Sequence, residues 1–194
     1  MDQFKGQPNL EIVANNIEKK INLPVQVIIL CGLQGSGKST VGRILSARTN
    51  LQLLLSDKIR KEVFQNPSYS SLESTYVYSR MIAMALENLN NGLPVVLDAT
   101  HTNQRNRETE ERIFKLMGYL VKVVYIKAPS DTIVKERIEN RTNDFSDADY
   151  EIYLRTKTRF IEPTNAIVIN NNGAIADLQE QVENLVQELV FAEC

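Results

Sequence analysis

Gly32-Leu33-Gln34-Gly35-Ser36-Gly37-Lys38-Ser39, followed by Thr40, fits the pattern G-x-x-x-x-G-K-[ST] in full. The spacing has a chemical reason. Glycines let backbone N–H groups turn inward around a β-phosphate, where a side chain would collide. Lys38 is then placed to reach the β- and γ-phosphates, and the Ser39 hydroxyl to bind Mg²⁺. A helix opening near Gly37 adds its positive N-terminal end. Gly32, Gly35, Ser36, Gly37, Lys38, Ser39 and Thr40 form the expected nucleotide-phosphate set. The flanks agree, since the apolar run Val25–Leu30 precedes the loop and Val41, Ile44 and Leu45 line one face after it.

Further along the chain, short apolar runs alternate with amphipathic helices, which predicts an α/β protein with a mostly parallel sheet. The expected strands are Val25–Leu30, Leu51–Leu55, Val95–Asp98, Leu120–Ile126 and Ala166–Asn170. Ser70 with Glu73 reads as a capping box, and Gly92 follows the end of that helix. Ser146 with Asp149 opens a helix expected to reach about Phe160 before Pro163. Ile175, Leu178, Val182, Leu185, Val186 and Leu189 share one face of the last helix, as do Leu10, Val13, Ala14, Ile17 and Ile21 of the first. No linker or repeat divides the chain. One domain over residues 1–194 is expected, with a helical extension at 1–23 and a lid at about 130–160.

With 43% hydrophobic and 24% charged residues the chain is neither disordered nor collagen-like. Its 22 Lys+Arg against 24 Asp+Glu exclude a general polyanion binder, so any nucleic-acid contact is a local patch. Two cysteines, Cys31 and Cys194, make no disulfide framework. The start lacks a signal-peptide core and the most apolar stretch, Val27–Leu33, is strand-sized. A soluble cytoplasmic protein without membrane contact is expected. Cys31 reads as buried packing, with a reactive thiol as the alternative.

A phosphate loop specifies a ligand and not a reaction. Pro94-Val95-Val96-Leu97-Asp98 ends in one acid, suited with Ser39 to support Mg²⁺. Ala99 follows where motor ATPases place a water-activating glutamate, and no Asn-Lys-x-Asp guanine reader occurs. Transfer to an acceptor other than water remains. Asp57, just past the second strand, sits where a base for an acceptor hydroxyl belongs, with helix capping as the alternative. Arg60 shares its helix face and could hold an anionic group of the acceptor. Arg137 and Arg141, four apart, project from one face before the polar stretch Thr142–Asp147. They suit a lid that closes guanidinium groups over phosphates, or a solvated face paired with Glu136 and Glu139.

Taken together, Cys31–Thr40, Ser56-Asp-Lys-Ile-Arg60, Val95-Val-Leu-Asp-Ala-Thr-His-Thr-Asn-Gln-Arg-Asn-Arg107 and the Arg137/Arg141 pair resemble the P-loop kinases related to polynucleotide 5′-kinase. Zeta toxins and gluconate kinases are more distant members of that class. The resemblance spans about Val25 to Asn170 and implies a three-layer P-loop NTPase fold with a five-stranded parallel sheet in the order 2-3-1-4-5. It also implies ATP·Mg²⁺ as donor, Asp57 as base to a 5′-hydroxyl, Arg60 on the acceptor phosphate, and Arg141, shared with Arg137, as the lid arginine.

Where relatives read Asp-x-Thr-Asn, this chain has Asp98-Ala-Thr100-His101. Thr100 and His101 are candidate acceptor contacts, although His101 also suits a hydrogen bond at a strand end. Arg105 and Arg107 read as solvent or substrate-side charges. Phe64, Tyr69, Tyr76 and Tyr78, interleaved with Lys58, Arg60, Lys61 and Arg80, suit stacking of a base, while Tyr76 with Ala83 and Leu86 also suits helix core. The expected activity is ATP-dependent phosphoryl transfer to a polynucleotide or nucleotide 5′-hydroxyl. A small-molecule kinase acting on a sugar, antibiotic or metabolite, and a nucleotide-dependent binding module with little turnover, are the alternatives.

Overall fold

The computed structural model describes residues 20–128, 130–140 and 149–191. Five strands, β1 (Val27–Cys31), β2 (Gln52–Leu55), β3 (Val95–Asp98), β4 (Val121–Lys127) and β5 (Ile167–Asn170), form one sheet. All its pairings are parallel and its order is β2-β3-β1-β4-β5. Seven helices accompany it among the described residues: α1 (Lys38–Arg48), α2 (Ser56–Val63), α3 (Ser71–Asn90), α4 (Gln104–Leu116), α5 (Asp131–Glu139), α6 (Tyr150–Lys157) and α7 (Ile175–Phe191). Each expected strand is present; β3 has the expected bounds, and the other four differ from them by one or two residues at one or both ends.

Every residue of β1 is buried, because both faces of a parallel sheet are covered. Its side chains alternate. Ile28 and Leu30 join Val41 and Leu45 of α1 and Leu178, Val182 and Leu185 of α7 in one core. Val27 and Ile29 face the other way, onto Ile59 of α2, Val77 and Met81 of α3, and Phe114 of α4. A smaller third cluster joins Leu33 of the phosphate loop to Val134 and Ile138 of α5 and Tyr153 of α6.

Helix α3 begins as its sequence directs, with the Ser70 hydroxyl accepting the Glu73 N–H at 3.3 Å. Its buried stripe is Glu73, Val77, Met81, Ala85 and Leu89. Tyr76, expected with the core, is 53% exposed, because it lies one position off that stripe. Asp149 caps α6 through the Ile152 N–H at 2.8 Å, and this helix stops at Lys157 rather than Phe160. Ser146, the expected helix before the first strand up to residue 19, and Cys194 lie outside the described residues. Among the described residues no helix is long and apolar enough to cross a membrane.

Candidate active site

Parallel pairing sets three strand ends side by side. Leu30 of β1 and Leu55 of β2 are both register partners of Asp98, the last residue of β3. The phosphate loop leaves β1 two residues past this level, and Asp57 follows β2 by the same two residues. Loop, Asp98 and Asp57 therefore meet at the carboxyl edge of the sheet, where open α/β sheets bind ligands. A cleft of about 360 Å³ lies there, lined among others by Gly35, Gly37, Lys38, Ser39, Thr40, Asp57, Asp98, Thr100 and Arg137.

The loop needs its glycines. Gly32 has φ +149°, and a Cβ on it would stand 2.5 Å from the Ile126 carbonyl oxygen. Gly37 has φ +99°, and a Cβ there would meet Asn171 Nδ2 at 2.3 Å. Asn171, at the exit of β5, grips the loop by donating from Nδ2 to the Ser36 carbonyl at 2.7 Å. Arg137 of α5 holds the other side, donating to the Gly35 carbonyl at 3.2 Å and to Asn171 Oδ1 at 3.1 Å. Within the loop Lys38 Nζ donates to the Leu33 carbonyl at 2.9 Å. Ser36 is fully buried, and its hydroxyl has no hydrogen-bond partner among the described residues.

Ser39, in the first turn of α1, sets its hydroxyl beside the Asp98 carboxylate and favours its charged form. Burial pushes the Asp98 carboxyl above its ordinary range. The charge of Lys38 and the Ser39 hydroxyl oppose the rise, and neighbouring Asp57 adds to it. A hydroxyl and a carboxylate side by side are hard oxygen donors, a set that fits Mg²⁺ completed by phosphate oxygens. Among the described residues no group of three or more His, Cys, Asp or Glu forms a cage for a metal ion by itself. The glycine cradle and Lys38 likewise fit a nucleotide phosphate chain.

Asp57 is half-buried in the first turn of α2, whose capping residue is Leu55 with no side-chain cap. Its carboxylate is therefore not the helix cap. Thr100 also lines the cleft. Arg141 lies outside the described residues.

Other expected contacts are engaged elsewhere. Arg60 is 5% exposed, ion-paired with Glu73 and seated over the Tyr69 ring at 4.6 Å from its centroid. It packs under α3 and does not line the cleft, because Glu73 on the buried stripe offers it a carboxylate. Glu73 does not complete a capping box either; its second oxygen accepts the Ser68 N–H and hydroxyl, each at 2.7 Å. His101 is 1% exposed and lies off the cleft. Its Nε2 meets Glu110 at 2.8 Å and its Nδ1 the Leu30 carbonyl at 2.9 Å, so both ring nitrogens are spent on the core. Burial opposes a charge on this imidazole, but Glu110 and the two main-chain carbonyls raise its pKa overall. Arg107, expected among solvent or substrate, is 3% exposed. Cys31 is buried, and burial pushes its thiol up to about 11, which suits packing.

None of the expected stacking rings lines the cleft. Tyr69 carries Arg60, Tyr78 packs edge-on against His101 at 5.3 Å, and Phe64 pairs with Tyr76 at 5.8 Å. Sequence reading missed Asn171 and Glu110. Asn171 had one signal, its place just past a strand at the carboxyl edge. Glu110 had none, since only the fold brings it to His101.

The family model described as AAA domain matches residues 27–163. A probable gluconokinase of Dictyostelium discoideum is 24% identical over 199 residues, covering 92% of each chain. A sugar kinase structure from Janibacter superposes with a TM-score of 0.64 at 15% identity, covering 87% of this chain and 98% of that one. The APS kinase of Mycobacterium tuberculosis, solved with AMPPNP and APS, gives 0.63 at 17% identity, covering 84% and 96%.

Proposed function

Since the chain belongs to the AAA domain family, matched over residues 27–163, we propose that it is an ATP-dependent phosphotransferase acting on a hydroxyl of a small polar acceptor such as a sugar or sugar acid. One observation carries this reading. The cleft joins Lys38, Ser39 and Asp98 to Asp57, Ser56 and Thr100, and no aromatic ring lines it among the described residues. Hydroxyls and a carboxylate suit a polyol, whereas a nucleobase acceptor would want a stacking platform. The gluconokinase and sugar-kinase relatives support the same acceptor class.

In this reading the loop amides hold the β-phosphate and Lys38 holds the γ-phosphoryl oxygens as their charge shifts. Ser39 and Asp98 would hold Mg²⁺, which when bound would offset the negative charge of the phosphate chain. Asp57 accepts the acceptor proton as the hydroxyl oxygen attacks the γ-phosphorus and ADP leaves. Arg137 keeps the loop in shape and stands at the cleft wall beside the donor. Ala99, in place of a water-activating acid, disfavours hydrolysis as the main reaction.

Incubation with γ-labelled ATP, Mg²⁺, a panel of sugars and sugar acids, and a 5′-hydroxyl oligonucleotide tests the acceptor class. Label on a small polyol is expected. Label on the oligonucleotide alone would restore the nucleic-acid reading, and label on neither would favour a nucleotide-dependent binding module.

A further inference from the structure

The turn that leaves β3 has every carbonyl occupied. Ala99 O meets His101 Nδ1 at 3.2 Å, and Thr100 O accepts the Gly32 N–H of the phosphate loop at 3.3 Å. His101 O accepts Arg107 Nη1 at 2.5 Å, and Thr102 O accepts the Ile161 N–H at 3.4 Å. His101 itself sits at φ +49°, an unusual conformation for a side-chain-bearing residue, with its N–H donating to the Tyr78 hydroxyl at 3.2 Å. Such a turn persists only when its surroundings over-determine it.

Arg107 ties this turn to the chain after α6 through its side chain. Its Nη2 donates to the Ile161 carbonyl at 2.6 Å, 54 residues away, while Nη1 holds His101. The guanidinium lies 5.7 Å from the centroid of the Phe160 ring, and among the described residues it has no ion pair with a carboxylate. A buried guanidinium without a counter-charge is a poor stabiliser. Its rigid fork can, however, fix two carbonyls at once, which a lysine cannot do.

The chain at Ile161 follows α6, and α6 touches the phosphate loop from the other side. Thr156 of α6 accepts from Gln34 Nε2 at 3.3 Å, and Tyr153 packs with Leu33, Val134 and Ile138. We infer that Arg107 is a positioning residue that locks the chain after α6 to the turn carrying Asp98 and Thr100, so that the phosphate loop, α6 and the acceptor-side turn hold one geometry. Arg107 touches no cleft surface itself. It acts through the two carbonyls.

Arg107→Lys and Arg107→Ala test this in the full chain, with two readouts. Amide hydrogen exchange should show protection at His101 and at Ile161 falling together, by about tenfold or more, while Val77–Ala85 in α3 stays protected. Turnover should fall by about tenfold or more in Arg107→Lys, with KM for ATP within about twofold of wild type. Unchanged protection at both amides, a fall at only one, or a general loss that includes α3 would overturn the coupling. So would exchange changes with turnover intact. The kinetic arm rests on the phosphotransfer reading. Wild-type protein that transfers no phosphoryl group would defeat that reading, while the exchange arm still decides the coupling.

Discussion

Asp57 and Lys38 reach the same cleft from different strands, and each can be tested by one atom or one side chain. Asp57→Asn removes the proton acceptor and keeps the shape. It should lose roughly 10²–10⁴-fold in kcat while ATP binding persists, the usual scale for a missing general base. Near-normal turnover would leave Asp57 only a favourable charge in the first turn of α2. The two residues also differ in how far sequence reveals them. Lys38 belongs to a local pattern whose spacing is dictated by a phosphate, so it is legible in eight consecutive residues. The fate of Arg60 depends on Glu73, 13 residues on and in another helix, and that of His101 on Glu110 in α4. A partner supplied by tertiary packing leaves no periodic trace.

Helices α2 and α3 are joined by the Arg60–Glu73 pair, buried on both sides at 6% side-chain exposure. Desolvation alone would raise the Glu73 carboxyl, but hydrogen bonds from Ser68 and Arg60 hold it at about 2, below its ordinary 4.5. A depressed carboxyl stabilises the fold above the unfolded-state value and loses that contribution as pH falls through the folded one. The stability of the wild type should therefore drop between pH 4.5 and about 2, and Glu73→Gln should remove that part of the slope. Denaturant midpoints across this range measure it; an equal slope in the variant would assign acid sensitivity to other groups. Ser70→Ala, which removes the hydroxyl that accepts the Glu73 N–H, should cost about 1 kcal/mol by the same measurement. The Ser70 cap was readable because capping is local. The end of α6 was not, since no glycine or proline marks Lys157 and the preference is set by what packs around Phe160.

For the molecule as a whole, the parallel register places three chain exits at one level, and the rest of the site follows from what each exit carries. Alternating apolar runs were enough to indicate the α/β class, whereas the order β2-β3-β1-β4-β5 was implied only by family resemblance, because periodicity says nothing about which strands are neighbours. The far strand also contributes, through Asn171 on the phosphate loop. Asn171→Ala should weaken ATP binding roughly tenfold, equivalent to about 1.4 kcal/mol, as measured by calorimetry; unchanged affinity would show that α5 and Arg137 hold the loop alone. The most direct test of the whole arrangement follows phosphorus through the reaction. A ³¹P NMR time course with ATP, Mg²⁺ and a sugar or sugar-acid acceptor should show a new phosphomonoester growing in step with ADP. Inorganic phosphate alone, or ATP unchanged across the acceptor panel, would contradict transfer to a small hydroxyl in this cleft.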